Sequence, residues 1–137
     1  ANPLALVQHG RNITGEQIRA CAVTGGVVCV SGVSKFLGTP TPTAQDVARH
    51  AAYVADLVGV EHVGIGLDNG FSEPGLDDTP PGEFDPAFWW PELAGYVNAI
   101  SSVCYTPIDG EVAQVLGGNM LRVAKQVWVE ATLPSHL

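Results

Sequence analysis

The fold is decided by two short apolar segments, VVCV at residues 27–30 and VEHVGIGLD at residues 60–68. The first is almost entirely β-branched, which is typical of a strand buried on both faces of a parallel sheet. The second predicts a strand that ends at Asp68, and its two glycines let another group approach the backbone closely. Parallel pairing of the two strands would require a right-handed crossover between them.

The crossover is predicted to be a helix with one apolar stripe. Its apolar residues recur at intervals of four, three and four, at Val47, Ala51, Val54 and Val58. Thr43 and Asp46 form a capping signature at its start, and Gly59 predicts its end. This is the most clearly marked helix of the sequence.

A first helix is predicted over residues 15–24, before the first strand. Thr14 can accept a hydrogen bond at the helix start, and Gln17, three residues later, can return it. Two glycines at positions 25 and 26 end the helix. Residues 32–42 contain one more glycine and two prolines, so we expect a loop there.

The second half is predicted to begin with a long acidic loop over residues 69–86, rich in Gly and Pro. A solvated acidic loop and the rim of a cationic centre such as a metal are both open interpretations. Three aromatic residues follow at 88–90, and they could pack the loop onto the core or form a wall of a binding site. A helix is expected over residues 91–103.

Two more helices are predicted near the C-terminus, with Asp109 and Asn119 as their caps. The last one would cover residues 120–129. Its inward-facing residues would be Met120, Val123, Val127 and Trp128. Residues 130–137 are expected to form a flexible tail, and the whole chain is expected to form one segment of a single domain.

Composition excludes several classes of function. The chain has 137 residues and a formal net charge of −8, which disfavours binding to nucleic acid. Its apolar residues are interrupted by 16 glycines and 10 prolines, so no membrane-spanning helix is expected. Residues 1–10 lack the basic start and apolar centre of a signal peptide.

The cysteines and histidines predict neither a disulfide framework nor a complete metal site. Three cysteines are an odd number without a Cys-x-x-Cys pair, and Cys29 is interpreted as a small core residue. Unpaired cysteines favour a reducing compartment, so a cytoplasmic location is expected. We assign His9, His50 and His62 to the surface or to helix ends.

Four blocks of the sequence together resemble a known family. They are residues 10–18 with 25–28, residues 46–50 with 56–59, residues 62–68, and residues 116–123. In this order and spacing they are similar to the C-terminal part of the membrane dipeptidase family, also called renal dipeptidases. The resemblance covers nearly the whole chain.

The resemblance implies an α/β fold, the C-terminal portion of a (β/α)8 TIM-type barrel with parallel strands. It also implies a hydrolase that cleaves dipeptides with water activated by two zinc ions. The family's zinc ligands would precede Ala1. The chain alone is therefore expected to hold no complete metal site and to be inactive.

Two positions of this sequence match functional positions of the family. Arg11 would hold the terminal carboxylate of the substrate, a role suited to a guanidinium that binds with two N–H groups. Asp68 would act beside the metals as a catalytic and substrate-binding residue that orients the water or the substrate amine. Asn69 and Ser31 depart from the pattern of many relatives, so the substrate preference stays open.

The expected partners are a dipeptide or small amide substrate and the missing N-terminal part of the barrel; a homodimer stays open. A different class of function is an alternative. In it, a truncated or degenerate relative would use the same acidic cleft to bind a small amine-bearing ligand without catalysis. A phosphate-binding glycine loop is disfavoured, because the Gly-x-Gly at 64–66 lacks the rest of that motif and the net charge is negative.

Overall fold

The computed structural model describes residues 1–68 and 109–128 of the chain. The predictions for residues 69–86, 88–90, 91–103 and 130–137 lie outside this part. Within it, helix α1 covers Gly15–Val23, strand β1 Val28–Val30, helix α2 Ser34–Leu37, helix α3 Ala44–Val58, strand β2 Val63–Ile65, helix α4 Asp109–Ala113 and helix α5 Asn119–Val127. A 3-10 turn, Val60–His62, precedes β2, and a π-helical turn, Gln114–Gly118, joins α4 to α5.

The two strands pair in parallel, as predicted. Val28 lies opposite Val63, and Val30 opposite Ile65. The ladder continues past the strands, since the Gly66 amide donates to the Val30 carbonyl at 2.9 Å. The β1–α3–β2 order is therefore an α/β crossover unit.

Both predicted helix starts are confirmed as reciprocal capping boxes. The Thr14 hydroxyl accepts from the Gln17 amide, and the Gln17 side chain accepts from the Thr14 amide. Thr43 and Asp46 form the same pair of hydrogen bonds at the start of α3. Each box satisfies backbone donors that a helix start otherwise leaves without partners.

The core lies where α1 and α3 pack against the two strands. Its completely buried apolar side chains are Ile18, Val30, Val47, Ala48, Val54 and Val63. Three of the four residues of the predicted α3 stripe are buried in this core, and Val58 packs against it half-buried. The parallel pair therefore has helices covering it, as its apolar sequence requires.

Helix α2 differs from the predicted loop over residues 32–42. Its amides at Phe36 and Leu37 both donate to the Val33 carbonyl, and both side chains are buried. Gly38, at φ 76°, ends the helix in the left-handed region that glycine adopts without strain. Burial of two large side chains therefore favours a helical turn in a segment that its composition marks as a loop.

Strand β2 is shorter than predicted. Residues 60–62 form the 3-10 turn because the His62 amide donates to the Gly59 carbonyl and not to a neighbouring strand. The end of the predicted strand, at Asp68, lies three residues beyond the last residue of β2.

The prediction that Asn119 caps a helix is wrong. Asn119 is 3% exposed, and its side-chain amide donates to the carbonyls of Val60 at 2.8 Å and Val63 at 2.9 Å. Through these hydrogen bonds, Asn119 connects α5 to the start of β2. The inward packing predicted for Met120, Val127 and Trp128 is also wrong, because these side chains are 46%, 64% and 77% exposed.

His50 is a further correction, since it lies on the buried side of α3 and not at the surface or a helix end. Its side chain is completely buried among core residues. Cys29, in contrast, is half-buried, with its Sγ 3.6 Å from the Met120 Sδ.

Candidate functional site

The candidate site lies where β1 and β2 end. The Gly32 amide donates to the Leu67 carbonyl at 2.9 Å, so the two chain segments stay side by side beyond the strands. A Cβ at position 32 would lie 3.0 Å from the Leu67 carbonyl oxygen, and only glycine allows this approach without displacing the backbone. The carboxyl ends of parallel strands are where α/β folds assemble their sites.

Asp68 immediately follows this pair of segments. It is exposed and has a φ of 65°, the one positive φ of a residue other than glycine in the described ranges. Aspartate tolerates this left-handed conformation better than most residues do. The conformation turns the chain out of the strand direction at the position where the sequence predicts the functional carboxylate.

The first residues of the chain lie against β1. The Asn2 side chain is completely buried, donates to the Ser31 carbonyl at 3.1 Å and accepts from the Ser31 amide at 2.7 Å. The Ala1 amino group donates to the Cys29 carbonyl at 2.6 Å.

Cys29 is not a candidate nucleophile. Burial raises the pKa of its thiol, an effect that the Ala1 amino group opposes and Cys21 reinforces. A raised pKa keeps the sulfur protonated and unreactive near neutral pH.

Arg11 lies in the loop between the first residues and α1. Its guanidinium carbon is 5.2 Å from the centre of the Phe36 ring, and the side chain is exposed. Within residues 1–68 and 109–128 the guanidinium makes no ion pair and donates no hydrogen bond. Its N–H groups are thus available to an anion in this part of the structure.

Asn12 fastens the Arg11 loop to α2. Its side-chain amide donates to the carbonyls of Val7 at 3.0 Å and Phe36 at 3.1 Å, and the residue is 7% exposed. The Arg11 amide donates to the His9 Nδ1 at 3.2 Å, which places the proton of a neutral His9 ring on Nε2. These contacts fix the backbone on both sides of Arg11.

Both predicted site residues are connected to the carboxyl ends of the strands. Asp68 lies three residues after the end of β2, and Arg11 contacts Phe36 of α2, which begins four residues after the end of β1. In the described part of the chain no hydrogen bond or ion pair joins them directly. Sequence reasoning missed Asn2, Asn12 and Phe36, which build the surroundings of the site.

The described residues do not form a metal cage. Among residues 1–68 and 109–128 no group of three His, Cys, Asp or Glu side chains is placed to hold a metal ion. Asp68 supplies carboxylate oxygens beside the strand ends. No helix of the described ranges is long and apolar enough to cross a bilayer.

The chain is similar to proteins of several organisms. It is 31% identical over 134 residues to a Klebsiella pneumoniae protein described as an uncharacterized protein in the pqqA 5′ region, covering 93% of this chain and 45% of the relative. It is 35% identical over 78 residues to the dipeptidase verJ of Clonostachys rogersoniana, covering 55% of this chain and 20% of that protein.

The fold is similar to that of an amidohydrolase from Pseudomonas aeruginosa. The TM-score is 0.77 at 23% identity, over 93% of this chain and 44% of the solved one. The chain thus spans less than half the length of the Klebsiella relative and of this structure.

The family model of the membrane dipeptidases, Peptidase family M19, matches residues 1–134. This match covers β1, β2 and the loops that carry Arg11 and Asp68. Together with the parallel strands and the named relatives, it shows that the chain belongs to the membrane dipeptidase family.

Proposed function

We propose that this chain is the C-terminal part of a metal-dependent dipeptidase with a (β/α)8 barrel, and that β1 and β2 are neighbouring strands of that barrel. The observation that carries the proposal is the placement of Arg11 and Asp68 beyond the carboxyl ends of these strands, in a chain of the dipeptidase family. Barrel enzymes assemble their catalytic groups on this side.

Arg11 would bind the terminal carboxylate of the dipeptide. Its guanidinium carbon lies over the Phe36 ring at 5.2 Å, and within residues 1–68 and 109–128 its N–H groups donate no hydrogen bond. They could therefore form two parallel hydrogen bonds with a carboxylate. The backbone contacts of Asn12 and His9 keep the loop in place before substrate arrives. Such preorganisation lowers the entropy lost on binding.

Asp68 would act on the amino end of the substrate or on the attacking water. An exposed carboxylate at the strand end can accept a proton from the water or bind the substrate ammonium group. The amide of an asparagine has a similar shape but carries no charge and accepts protons poorly. The role therefore depends on the charge of the side chain.

Metal ions would come from ligands outside the described residues. Family membership supports two zinc ions, which when bound would supply a water activated for attack on the peptide carbonyl. Because the resemblance to the family implies zinc ligands before Ala1, we expect residues 1–137 by themselves to be inactive. The catalytic unit would be the complete protein.

The experiment is the substitution Asp68→Asn in the complete protein. We expect kcat for a dipeptide such as Ala-Ala to fall at least a hundredfold, the range of one general acid–base group, while bound zinc is retained. Asp56→Asn, which makes the same chemical change at an exposed position on α3, is the matched control and should retain activity.

Three results would contradict the proposal. Wild-type protein loaded with zinc that cleaves no dipeptide would refute the function. Full activity of Asp68→Asn would refute the role of Asp68. Loss of zinc in that variant would make Asp68 a primary metal ligand instead.

A further inference from the structure

The loop that carries Arg11 is closed by a neck, formed by residues 2–4 and residue 13. The Ile13 amide donates to the Asn2 carbonyl at 2.9 Å, and the Leu4 amide donates to the Ile13 carbonyl at 2.8 Å. Pro3 and Ile13 form a parallel bridge between the same two stretches. The two ends of the loop are therefore held side by side, with Arg11 between them in the sequence.

Asn2 attaches this neck to the end of β1. The Ala1 nitrogen donates to the Cys29 carbonyl, and the Asn2 side chain continues the contact one residue further, to where the loop begins. The side chain is completely buried, donates to the Ser31 carbonyl at 3.1 Å and accepts from the Ser31 amide at 2.7 Å. An amide that bonds both backbone groups of one residue fixes position and orientation together. The neck cannot slide along β1 without breaking both bonds.

The end of β1 connects the neck to the segment before Asp68. The Gly32 amide donates to the Leu67 carbonyl at 2.9 Å. A path of hydrogen bonds and chain thus runs from Asn2 through Ser31 and Gly32 to the residue before Asp68. The Asn2 amide is the side-chain link in this path, and the other hydrogen bond joins backbone groups. A substitution of Asn2 can therefore loosen the path without changing either end of it.

Asn12 gives the same loop a second attachment, because its side chain donates to the carbonyl of Phe36 on α2. A loop held at one point can pivot about that point, whereas attachments to two elements fix its placement. The Asn12 bond holds the loop against α2, and the Asn2 bonds hold it against β1. Loss of the Asn2 bonds should thus leave the loop attached but shift it relative to the strand ends.

We propose that Asn2 is a positioning residue that, through the neck of the loop, places Arg11 relative to Asp68 so that both ends of a dipeptide are bound at once. This inference rests on the proposed function, in which Arg11 takes the substrate carboxylate. Asn2 itself is completely buried, so it acts through Arg11 and not on the substrate. A displacement of about 1 Å in a substrate-binding group can cost on the order of a hundredfold in rate.

The experiment is a double-mutant cycle in the complete, zinc-loaded protein, with Ala-Ala and the amide of Ala-Ala as substrates. Asn2→Ala should lower kcat/KM for Ala-Ala about tenfold, the lower end of the cost of a charge-assisted contact, because Asn12 still holds the loop. The loss for the amide should stay below about twofold. In the Arg11→Lys background, Asn2→Ala should cost Ala-Ala less than about threefold, since its effect passes through Arg11.

Gln8→Ala is the matched control, because it removes an exposed side chain of the same loop that donates to the Leu4 carbonyl. It should match wild type within about twofold for both substrates. Asn2→Ser leaves a hydroxyl for the buried Ser31 groups and should show the same pattern with smaller losses. It provides the test if Asn2→Ala does not fold, and bound zinc and urea unfolding are measured for each variant.

Equal losses for Ala-Ala and its amide would overturn the inference, because a residue that only stabilises the fold or the metal site affects both substrates alike. The same loss in the wild-type and Arg11→Lys backgrounds would also overturn it, since Asn2 would then act independently of Arg11. Either result leaves the dipeptidase function standing. If the wild-type protein cleaved no dipeptide, the proposed function itself would fail, and the inference with it.

Discussion

The clearest test of the packing concerns His50, a histidine on the buried side of α3. Its side chain is completely buried, and neither ring nitrogen has a hydrogen-bond partner among residues 1–68 and 109–128, although the Leu37 backbone lies close enough to favour the charged form. Burial, with a smaller contribution from the positive charge of Arg49, lowers the pKa of His50 to about 4, and Asp46 opposes the shift. The ring is therefore neutral in the folded protein at pH 7.

The magnitude follows from the difference between the folded and unfolded states. In the unfolded chain the pKa is the ordinary value of about 6.5, so the change to about 4 corresponds to roughly 3 kcal/mol. The unfolded state takes up the proton first as the pH falls. Titration of His50 therefore leaves the free energy of unfolding unchanged above about pH 6.5. It lowers that free energy as the pH falls from about 6.5 to about 4 and causes no further loss below about pH 4.

The assay is urea unfolding of the complete protein at pH 7.0 and pH 4.5, as wild type and as His50→Leu. Leucine removes the titrating group and two buried nitrogens without partners, so the variant should be at least nearly as stable as wild type at pH 7. Between the two pH values its free energy of unfolding should fall by about 2.5 kcal/mol less than that of wild type. Equal losses for the two proteins would refute the assignment of His50 as a buried neutral residue.

Two other predictions concern how the chain is held together. Asn119→Ala should lower the free energy of unfolding of the complete protein by about 2–4 kcal/mol in urea denaturation, because two carbonyls near β2 lose their donor. Lys125→Ala, an exposed change on the same helix, should stay within about 0.5 kcal/mol of wild type, and equal losses would contradict the role of Asn119. Residues 1–137 alone should not give a cooperatively unfolding monomer, since the two parallel strands found in the described ranges need neighbouring strands. A single sharp transition of monodisperse protein in calorimetry would disprove this.

The parts of the fold that follow from local hydrogen bonds could be predicted from the sequence. The boxes at Thr14 and Thr43 fix the helix starts to the residue, because both partners lie within one turn. The parallel pairing of β1 and β2 follows from two apolar strands with a helix between them.

The parts that depend on distant partners could not be predicted in this way. Asn119 resembles a helix cap in the sequence, but its partners are carbonyls 56 and 59 residues away. Helix α2 forms because Phe36 and Leu37 become buried. The glycine and prolines around them predict a loop, so the sequence does not indicate this helix. His50 looks like an exposed polar residue, although its place on α3 next to Ala51 puts it in the core.

The site shows the same division. Arg11 and Asp68 were predicted from the resemblance to the family, and the end of a strand supports Asp68 independently. Asn2, Asn12 and Phe36 carry no catalytic signature, because they act through backbone carbonyls and ring contacts that the sequence does not reveal. A polar residue that contacts only backbone is hard to distinguish from an ordinary loop residue.

The measurement that tests the central claim most directly uses Arg11→Lys in the complete, zinc-loaded protein. Hydrolysis of a dipeptide with a free carboxylate is compared with hydrolysis of the same dipeptide amide. Lysine keeps the charge but loses the planar two-point contact, so kcat/KM for the free dipeptide should fall about ten- to a hundredfold and that for the amide much less. Equal losses for the two substrates would contradict the claim that this loop binds the substrate carboxylate.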